Sequence, residues 1–390
     1  MGKYTRFQPI EPLVPARFRE ARLARGMTAN DLASKVGVTR QSISKYELGV
    51  TEPSGPILAA LSEQLEVPVS FFYKPLSAPE NRGTTFYRSL KTNAARAKDV
   101  MSSKSHWATQ IAALLSKDIV FPDVDIPPLP EKYSQNQEFS FDEIEDIALY
   151  VRRTWGLGIT PIQNMSRLLE SHGIIIATIK TGFMETDACS SFIDTRPYIF
   201  LDTQKECAVR TRFNMAHELG HLILHGNITQ SDIEDKKILN RIEKEANQFA
   251  SSFLLPRDSF LLDIRSTSLQ SFLPLKKKWK TSIQAMVYRC QELDVFSDNQ
   301  MIYLQKQISA KRWRKTEPFD NEWPSEDTYI LCTAVKMLLE RGYYTKDSLL
   351  STLRFPAKDI EELCSLPKGT LSTQEPSNPV VIQFSTKNRT

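Results

Sequence analysis

Apolar positions in the first 75 residues recur at helical spacing, in short bursts closed by glycine. Arg17–Ala24 is amphipathic and stops at Gly26. Thr28 is placed to cap a second helix, Ala29–Lys35, which ends at Gly37, and Thr39 a third, Arg40–Leu48, stopped by Gly49. Ile57–Leu65 and a turn ending in Phe71-Phe72-Tyr73 complete a five-helix unit over residues 16–73, with Phe18, Leu32, Ile43, Leu58 and Leu61 among its core. Two short helices joined through Lys35-Val-Gly-Val-Thr39 read as a helix-turn-helix. The exposed face of the third helix carries Arg40, Gln41, Ser44 and Lys45, side chains that reach base edges and phosphates in a major groove.

Beyond Tyr73 the chain turns irregular, and Phe86–Leu90 leads into a polar, helix-prone stretch over 91–118. Arg88, Lys91, Arg96 and Lys98 read there as a solvated face, with an extended phosphate-contacting surface as the alternative. Residues 120–135 are proline-rich and predict an extended spacer. The pattern then predicts helices over Phe141–Thr154 and Ile162–Ser171. Strands follow over Ile174–Ile179, Ser190–Ile193 and Tyr198–Leu201, then a helix over 207–225. After Pro256 come helices Asp258–Ile264, Pro274–Lys280 (with Pro274 in first position) and Ser282–Leu293. Tyr329–Arg341, Lys346–Leu353 and Lys358–Leu363 predict a small helical module that dimerises or senses a signal, and the tail from Gly369 has a disordered composition. The domains so delimited are 1–75, a linker with helix and spacer over 76–137, 138–312, the module 313–368, and the tail 369–390.

Composition adds a class and a partner. With 41% hydrophobic and 25% charged residues over 390, the chain is that of a globular protein of more than one domain. It shows no bilayer-length apolar run and no signal-peptide core, so a cytoplasmic protein away from membranes is expected. The five cysteines are odd in number and never paired as CxxC, which fits reduced thiols and leaves metal binding to histidine and carboxylate. The net charge of +4 is uneven: residues 1–50 carry about +5 and the remainder about −1. A basic N-terminal domain on a near-neutral body points to double-stranded DNA.

The chemistry is concentrated in Phe213-Asn-Met-Ala-His217-Glu218-Leu-Gly-His221-Leu-Ile-Leu-His225. His217 and His221, at i and i+4, share one helix face and can grip one zinc ion, while Glu218 can take a proton from an attacking water. A catalytic zinc needs three protein ligands and an open position. On the next helix Glu243, Ala246, Asn247 and Ala250 form one face: the alanines permit close approach, Glu243 can ligate, and Asn247 can hydrogen-bond a ligand histidine. Glu245 points elsewhere and is the alternative ligand. His225 closes the last turn of the first helix, where the helix dipole favours it; a further ligand or a transition-state donor is the alternative. Cys207 reads as a bystander, with a redox-sensitive or inhibitory ligand as the alternative. After the basic run Lys276–Lys280, the stretch KWKTSIQAMVYR, Lys278–Arg289, reads as a packing element, with another helix-turn-helix as the alternative. Tyr198, Ile199, Phe200 and Leu201 are expected to form the edge strand to which an extended substrate adds.

The stretch TANDLASKVGVTRQSISKYELGVTEPS, from Thr28, resembles the phage-repressor-like (Xre-type) helix-turn-helix family throughout residues 16–73. That likeness implies Gln41 and Ser44 as base readers, and Arg40 and Lys45 as base or phosphate contacts. RFNMAHELGHLILH from Arg212, together with EKEANQFASSFLLP from Glu243, resembles the ImmA/IrrE family of zinc metallo-endopeptidases. The match runs from Glu145 to Pro256 and includes Trp155-Gly-Leu-Gly158 and Leu169-Glu-x-x-Gly173. The resemblance implies a gluzincin-like site: His217, His221 and Glu243 on one Zn2+, with Glu218 as general base and acid. The fold class is then mainly α with a small β-sheet: a repressor-like helix-turn-helix domain, a central HExxH metallopeptidase domain and a helical C-terminal module. The function it implies is a DNA-binding transcriptional regulator, acting as a homodimer on an operator, whose peptidase cuts a regulatory protein, a partner repressor or the chain itself. Two alternatives stay open. One is a non-catalytic repressor or antitoxin whose metallopeptidase fold is structural or sensing. The other is a protease whose helix-turn-helix recruits a protein substrate.

Overall fold

The computed structural model describes residues 11–76, 83–87, 94–183, 188–203 and 207–372. Lys3, Arg6, Arg88, Lys91 and the tail beyond Ser372 lie outside the described residues. Among the described residues the molecule is mainly helical with one small sheet.

The N-terminal unit comprises α1 (Pro15–Ala24), α2 (Ala29–Val36), α3 (Arg40–Glu47), α4 (Gly55–Leu65) and a 3-10 turn, Val69–Tyr73. Its boundaries follow local chemistry. Thr28 and Asp31 form a reciprocal capping box at the start of α2, and Gly37 ends that helix in the left-handed conformation, φ 75°. Thr39 accepts the amide of Ser42 at the start of α3.

The sheet has the order β1-β3-β4-β2, with β1 Phe86–Tyr87, β2 Ile175–Ile179, β3 Ala188–Ile193 and β4 Arg196–Asp202. β4 pairs parallel with β2 and antiparallel with β3, and β1 pairs antiparallel with β3. The strand holding Tyr198, Ile199, Phe200 and Leu201 is therefore interior, which overturns its expected role as the edge. Its near-continuous burial is what a strand covered on both faces shows, and the apolar run alone does not distinguish centre from edge.

Successive strand residues point to opposite faces, and the two faces feed two cores. Ile175, Ala177, Ile179, Tyr198 and Phe200 join a core built with α1, α4, the Phe71-Phe72 turn, α5 (Ala94–Leu115) and C-terminal helices. Ile176, Ile199 and Leu201 join the other, with α6 (Phe141–Thr154), α7 (Met165–Ser171), α8 (Ala208–Leu224) and α9 (Lys236–Leu254). That second core continues through α10 (Arg257–Asp263), α11 (Phe272–Trp279), α12 (Ile283–Glu292) and α13 (Asp298–Ala310).

Several segments expected to stand apart belong to the first core. α5 keeps Arg96 and Lys98 in solvent but buries Ala97, Met101, Trp107, Ala108 and Ile111 on its other side. α14 (Ile330–Glu340), α15 (Lys346–Leu353) and α16 (Ala357–Leu363) pack on α5 and β2 rather than forming a separate module. Trp107 stacks on Phe355 at 5.2 Å and meets Phe71 edge-on at 5.5 Å. Arg25, just after α1, pairs with Asp359 of α16 at 2.7 Å.

Smaller differences have local causes. Pro274 is the third residue of its helix, still within the first turn whose amides lack helical partners. α13 escaped the pattern because Ile302 and Tyr303 are exposed beside buried Met301 and Leu304, blurring the apolar stripe. Residues 369–372 are held: Glu361 accepts the amides of Gly369 at 3.0 Å and Leu371 at 2.7 Å, and Leu371 is buried. Lys276 of the basic run is buried against Glu317 and Asp320, and Trp279 is buried too, so this run packs. Among the described residues no helix is long and apolar enough to cross a membrane.

Candidate metal centre and nucleic-acid face

α8 runs through the second core with nearly every side chain buried, held between α9 and the sheet. Its close contact with α9 needs a residue without Cβ: a Cβ on Gly220 would lie 3.1 Å from Phe249 and 3.3 Å from the Cα of Ala246. Ala246 and Ala250 are fully buried on the facing side of α9. Gly220 between the two histidines is thus the seat that lets α9 come near.

That approach brings His217, His221 and Glu243 together, with one potential ligand atom from each lying within 4.8 Å of the others. The two Nε2 atoms are 3.0 Å apart, and the Glu243 carboxylate oxygens lie 3.5 Å from His217 Nε2 and 3.4 Å from His221 Nε2. Donors on a tetrahedral zinc, at bond lengths of about 2.0–2.1 Å, sit about 3.3 Å from one another. The donor set and its spacing therefore fit a divalent metal of zinc size. Burial raises the Glu243 carboxyl, but hydrogen bonds and charge from His217 and His221, when those rings are protonated, outweigh it and hold the group well below the usual carboxylate range.

Each histidine is oriented from behind. His217 Nδ1 donates to Asn247 Oδ1 at 3.0 Å, which leaves the Nε2 lone pair facing Glu243. His221 is oriented by a chain that the sequence did not suggest. His225 Nε2 donates to Glu245 Oε2 at 2.9 Å, so His225 Nδ1 is an acceptor for His221 Nδ1–H, also at 2.9 Å. Burial pushes the His225 imidazole down to about 4, which keeps it neutral and able to accept. Glu245 is fixed in turn by the amide of Phe139 at 3.2 Å. Glu245, weighed as a ligand, and His225, read as a helix-end residue, thus act together on His221. The signal in the sequence was their number: a third imidazole at i+4 from His221, with a second acid beside Glu243.

Glu218 stays off the three-atom cluster. Ser190 of β3 donates to its Oε2 at 2.5 Å, so the sheet fixes this carboxylate. Ser190 was absent from the sequence-based set because nothing local to it marks a partnership with a residue 28 positions away. Cys207 flanks α8 with its thiol pushed up by burial, in keeping with a bystander.

The other candidate surface is α3. Arg40, Gln41 and Lys45 are exposed and Ser44 is partly so, while Ile43 anchors the helix in the core. Arg22 of α1 grips both oxygens of Glu47, at 2.6 and 2.9 Å, fixing the end of α3 against its scaffold.

Comparisons agree with this division. Residues 169–291 match the peptidase-family model described as IrrE N-terminal-like domain, and residues 18–72 match the model described as Helix-turn-helix. The chain is 39% identical over 77 residues to a protein of Sinorhizobium medicae (strain WSM419) named as an uncharacterized HTH-type transcriptional regulator, covering 20% of this chain. A protein of the same description from Rhizobium meliloti (strain 1021) matches to the same extent. The chain spans 54% of the length of each of these relatives. The polypeptide thus joins an N-terminal helix-turn-helix domain to a central domain of the IrrE N-terminal-like peptidase family.

Proposed function

We propose that this protein is a DNA-binding transcriptional regulator whose zinc-dependent endopeptidase domain hydrolyses a peptide bond in a regulatory protein, either a partner repressor or a copy of itself. The observation that carries the reading is the convergence of His217, His221 and Glu243 on one point, with Glu218, next to His217 in sequence, outside the cluster and fixed by Ser190. A zinc ion held by those three residues would supply Lewis acidity toward a peptide carbonyl and lower the pKa of the attacking water. Glu218, oriented by Ser190, accepts the proton of that water and delivers it to the leaving amine. Asn247 and the Glu245–His225 pair keep the two imidazoles in the tautomer that presents Nε2.

On the DNA side, Gln41 and Ser44 read bases while Arg40 and Lys45 contact bases or phosphates. A homodimer engages half-sites about 34–36 Å apart on the operator. The cytoplasm is the compartment this role requires. The test pairs cells expressing wild type with cells expressing Glu218→Gln and compares new protein N-termini by mass spectrometry. A cleavage confined to wild type supports the reading. Identical N-termini with DNA binding intact in both would favour the non-catalytic regulator, which the full burial of Glu218 makes worth testing. Gel shifts with the promoter of its own gene should weaken steeply with salt; salt-insensitive or absent binding would contradict the DNA-reading role.

A further inference from the structure

The outer edge of β3, not β4, lies beside the candidate metal centre, and it carries a strand from elsewhere in the chain. Gly83 donates its amide to Phe192 O at 2.8 Å, and Ser191 Oγ donates to Gly83 O at 3.1 Å. Phe86 then stands opposite Ser190, and Tyr87 opposite Cys189, in antiparallel register. Ser190 is the residue whose hydroxyl holds Glu218. The Phe86 ring lies flat on His221, with centroids 4.6 Å apart and planes within 3°, and is 6.0 Å from His225. Thr84 donates its hydroxyl to Ile228 O just beyond the end of α8, and Thr85 and Phe86 are buried.

This is the geometry of an extended peptide adding to a free sheet edge: main-chain pairing supplies affinity and one side chain fills a specific position. Among the described residues the pairing strand spans only Phe86–Tyr87, and such a short pairing is weak enough to exchange. In sequence it lies between the helix-turn-helix unit, which ends at Tyr73, and α5, which begins at Ala94. Both ends are anchored in the core that the DNA-binding domain shares with the back of the sheet.

We propose that Gly83–Tyr87 is a built-in occupant of the peptide-binding edge of β3. The site therefore takes extended peptides that place an aromatic ring over His221, and it admits one only when this segment leaves. The proposal rests on the peptidase reading for its biological sense, but its test does not. A tethered occupant acts at an effective concentration of about a millimolar. Ejecting it should then tighten binding of a peptide with an intrinsic Kd of about 0.1 mM by roughly tenfold.

The experiment uses the full chain carrying Glu218→Gln, so that no cleavage is involved, and a fluorescein-labelled peptide copying residues 82–88. Fluorescence anisotropy is recorded with and without Phe86→Asp, which drives a charge into the buried ring site. Tenfold tighter binding in the Phe86→Asp chain, lost when the peptide's own phenylalanine is replaced by alanine, is the expected result. Equal affinity in both chains, or no binding in either, overturns the proposal. A second variant guards against misfolding: Tyr87→Cys places a thiol opposite Cys189, and mild oxidation should join the two positions, read by peptide mapping. Absence of that link would show that the segment does not pair with β3. Because neither readout needs catalysis, the proposal can fail while the peptidase reading stands, and the reverse.

Discussion

The two faces of the central strands carry opposite kinds of organisation. On one face, Ile176, Ile199 and Leu201 back a core closed around a polar cluster, in which Ser190 holds Glu218, the Glu245–His225 pair holds His221, and Glu243 converges on His217 and His221. On the other, Ile175, Ala177 and Phe200 back an apolar and aromatic core that runs through Trp107, Phe71 and Phe355 into the helix-turn-helix unit. The first face is specified by hydrogen-bond geometry, the second by volume and ring packing. Because alternate residues of the same strands serve both, the helix-turn-helix unit is not an appendage: it packs on the strands that also back the candidate metal centre. A disturbance on one face should therefore show a characteristic signature, of metal affinity on one and of stability on the other.

The sharpest break removes a ligand. His217→Ala is expected to lower zinc from about one per chain to near zero while the fold, built on the remaining core, stays cooperative; retained stoichiometric zinc would separate this residue from the site. On the opposite face, Phe355→Ala should cost about 3–5 kcal/mol in denaturant unfolding, because a buried ring leaves a cavity between Trp107 and Phe71. It should leave zinc stoichiometry unchanged.

Glu170 joins the two faces: from α7 it accepts the amides of Tyr329 and Ile330 at the start of α14. Burial raises its carboxyl to about 7, above the ordinary 4.5. The folded state then holds the proton more tightly than the unfolded chain, so this contribution is full below pH 4.5 and is lost as pH rises toward 7. The loss amounts to about 3 kcal/mol at about 1.4 kcal/mol per unit. Glu170→Gln should flatten that decline in a pH series of unfolding curves; an unchanged slope would place the titration elsewhere. His225→Ala should weaken zinc binding about 10–100-fold without abolishing it, since an orienting partner is lost and the ligands remain. Competition with a zinc chelator reads this directly, and unchanged affinity would mean that the His225–Glu245 pair is only structural. On α3, the helix proposed to read DNA, Gln41→Ala should cost about 1–3 kcal/mol of DNA binding and relax base preference at one position, whereas Lys45→Ala should reduce the salt slope by about one. Neither should alter zinc binding.

Much of this was legible in the chain. The helix-turn-helix unit announces itself because its caps and stops, Thr28, Gly37 and Thr39, are local chemistry. The ligand cluster was readable because i and i+4 spacing on α8 and the Glu243–Asn247 face on α9 are properties of single helices. What escaped was non-local. The interior position of Tyr198–Leu201 depends on β2 pairing along one side of the strand and β3 along the other. Ser190 acquires meaning only when β3 lies under α8. His225 and Glu245 are 20 positions apart and meet only because α8 and α9 pack at Gly220. The C-terminal helices looked like a separate module because their apolar faces do not reveal which surface they cover.

The most direct test of the account is the zinc content of the purified full chain by elemental analysis, for wild type, Glu218→Gln and Glu243→Gln. The account predicts about one zinc per chain in the first two and a near-complete loss in the third, since Glu218 lies outside the ligand cluster and Glu243 within it. Zinc absent from wild type even after reloading, or undiminished in Glu243→Gln, would contradict it.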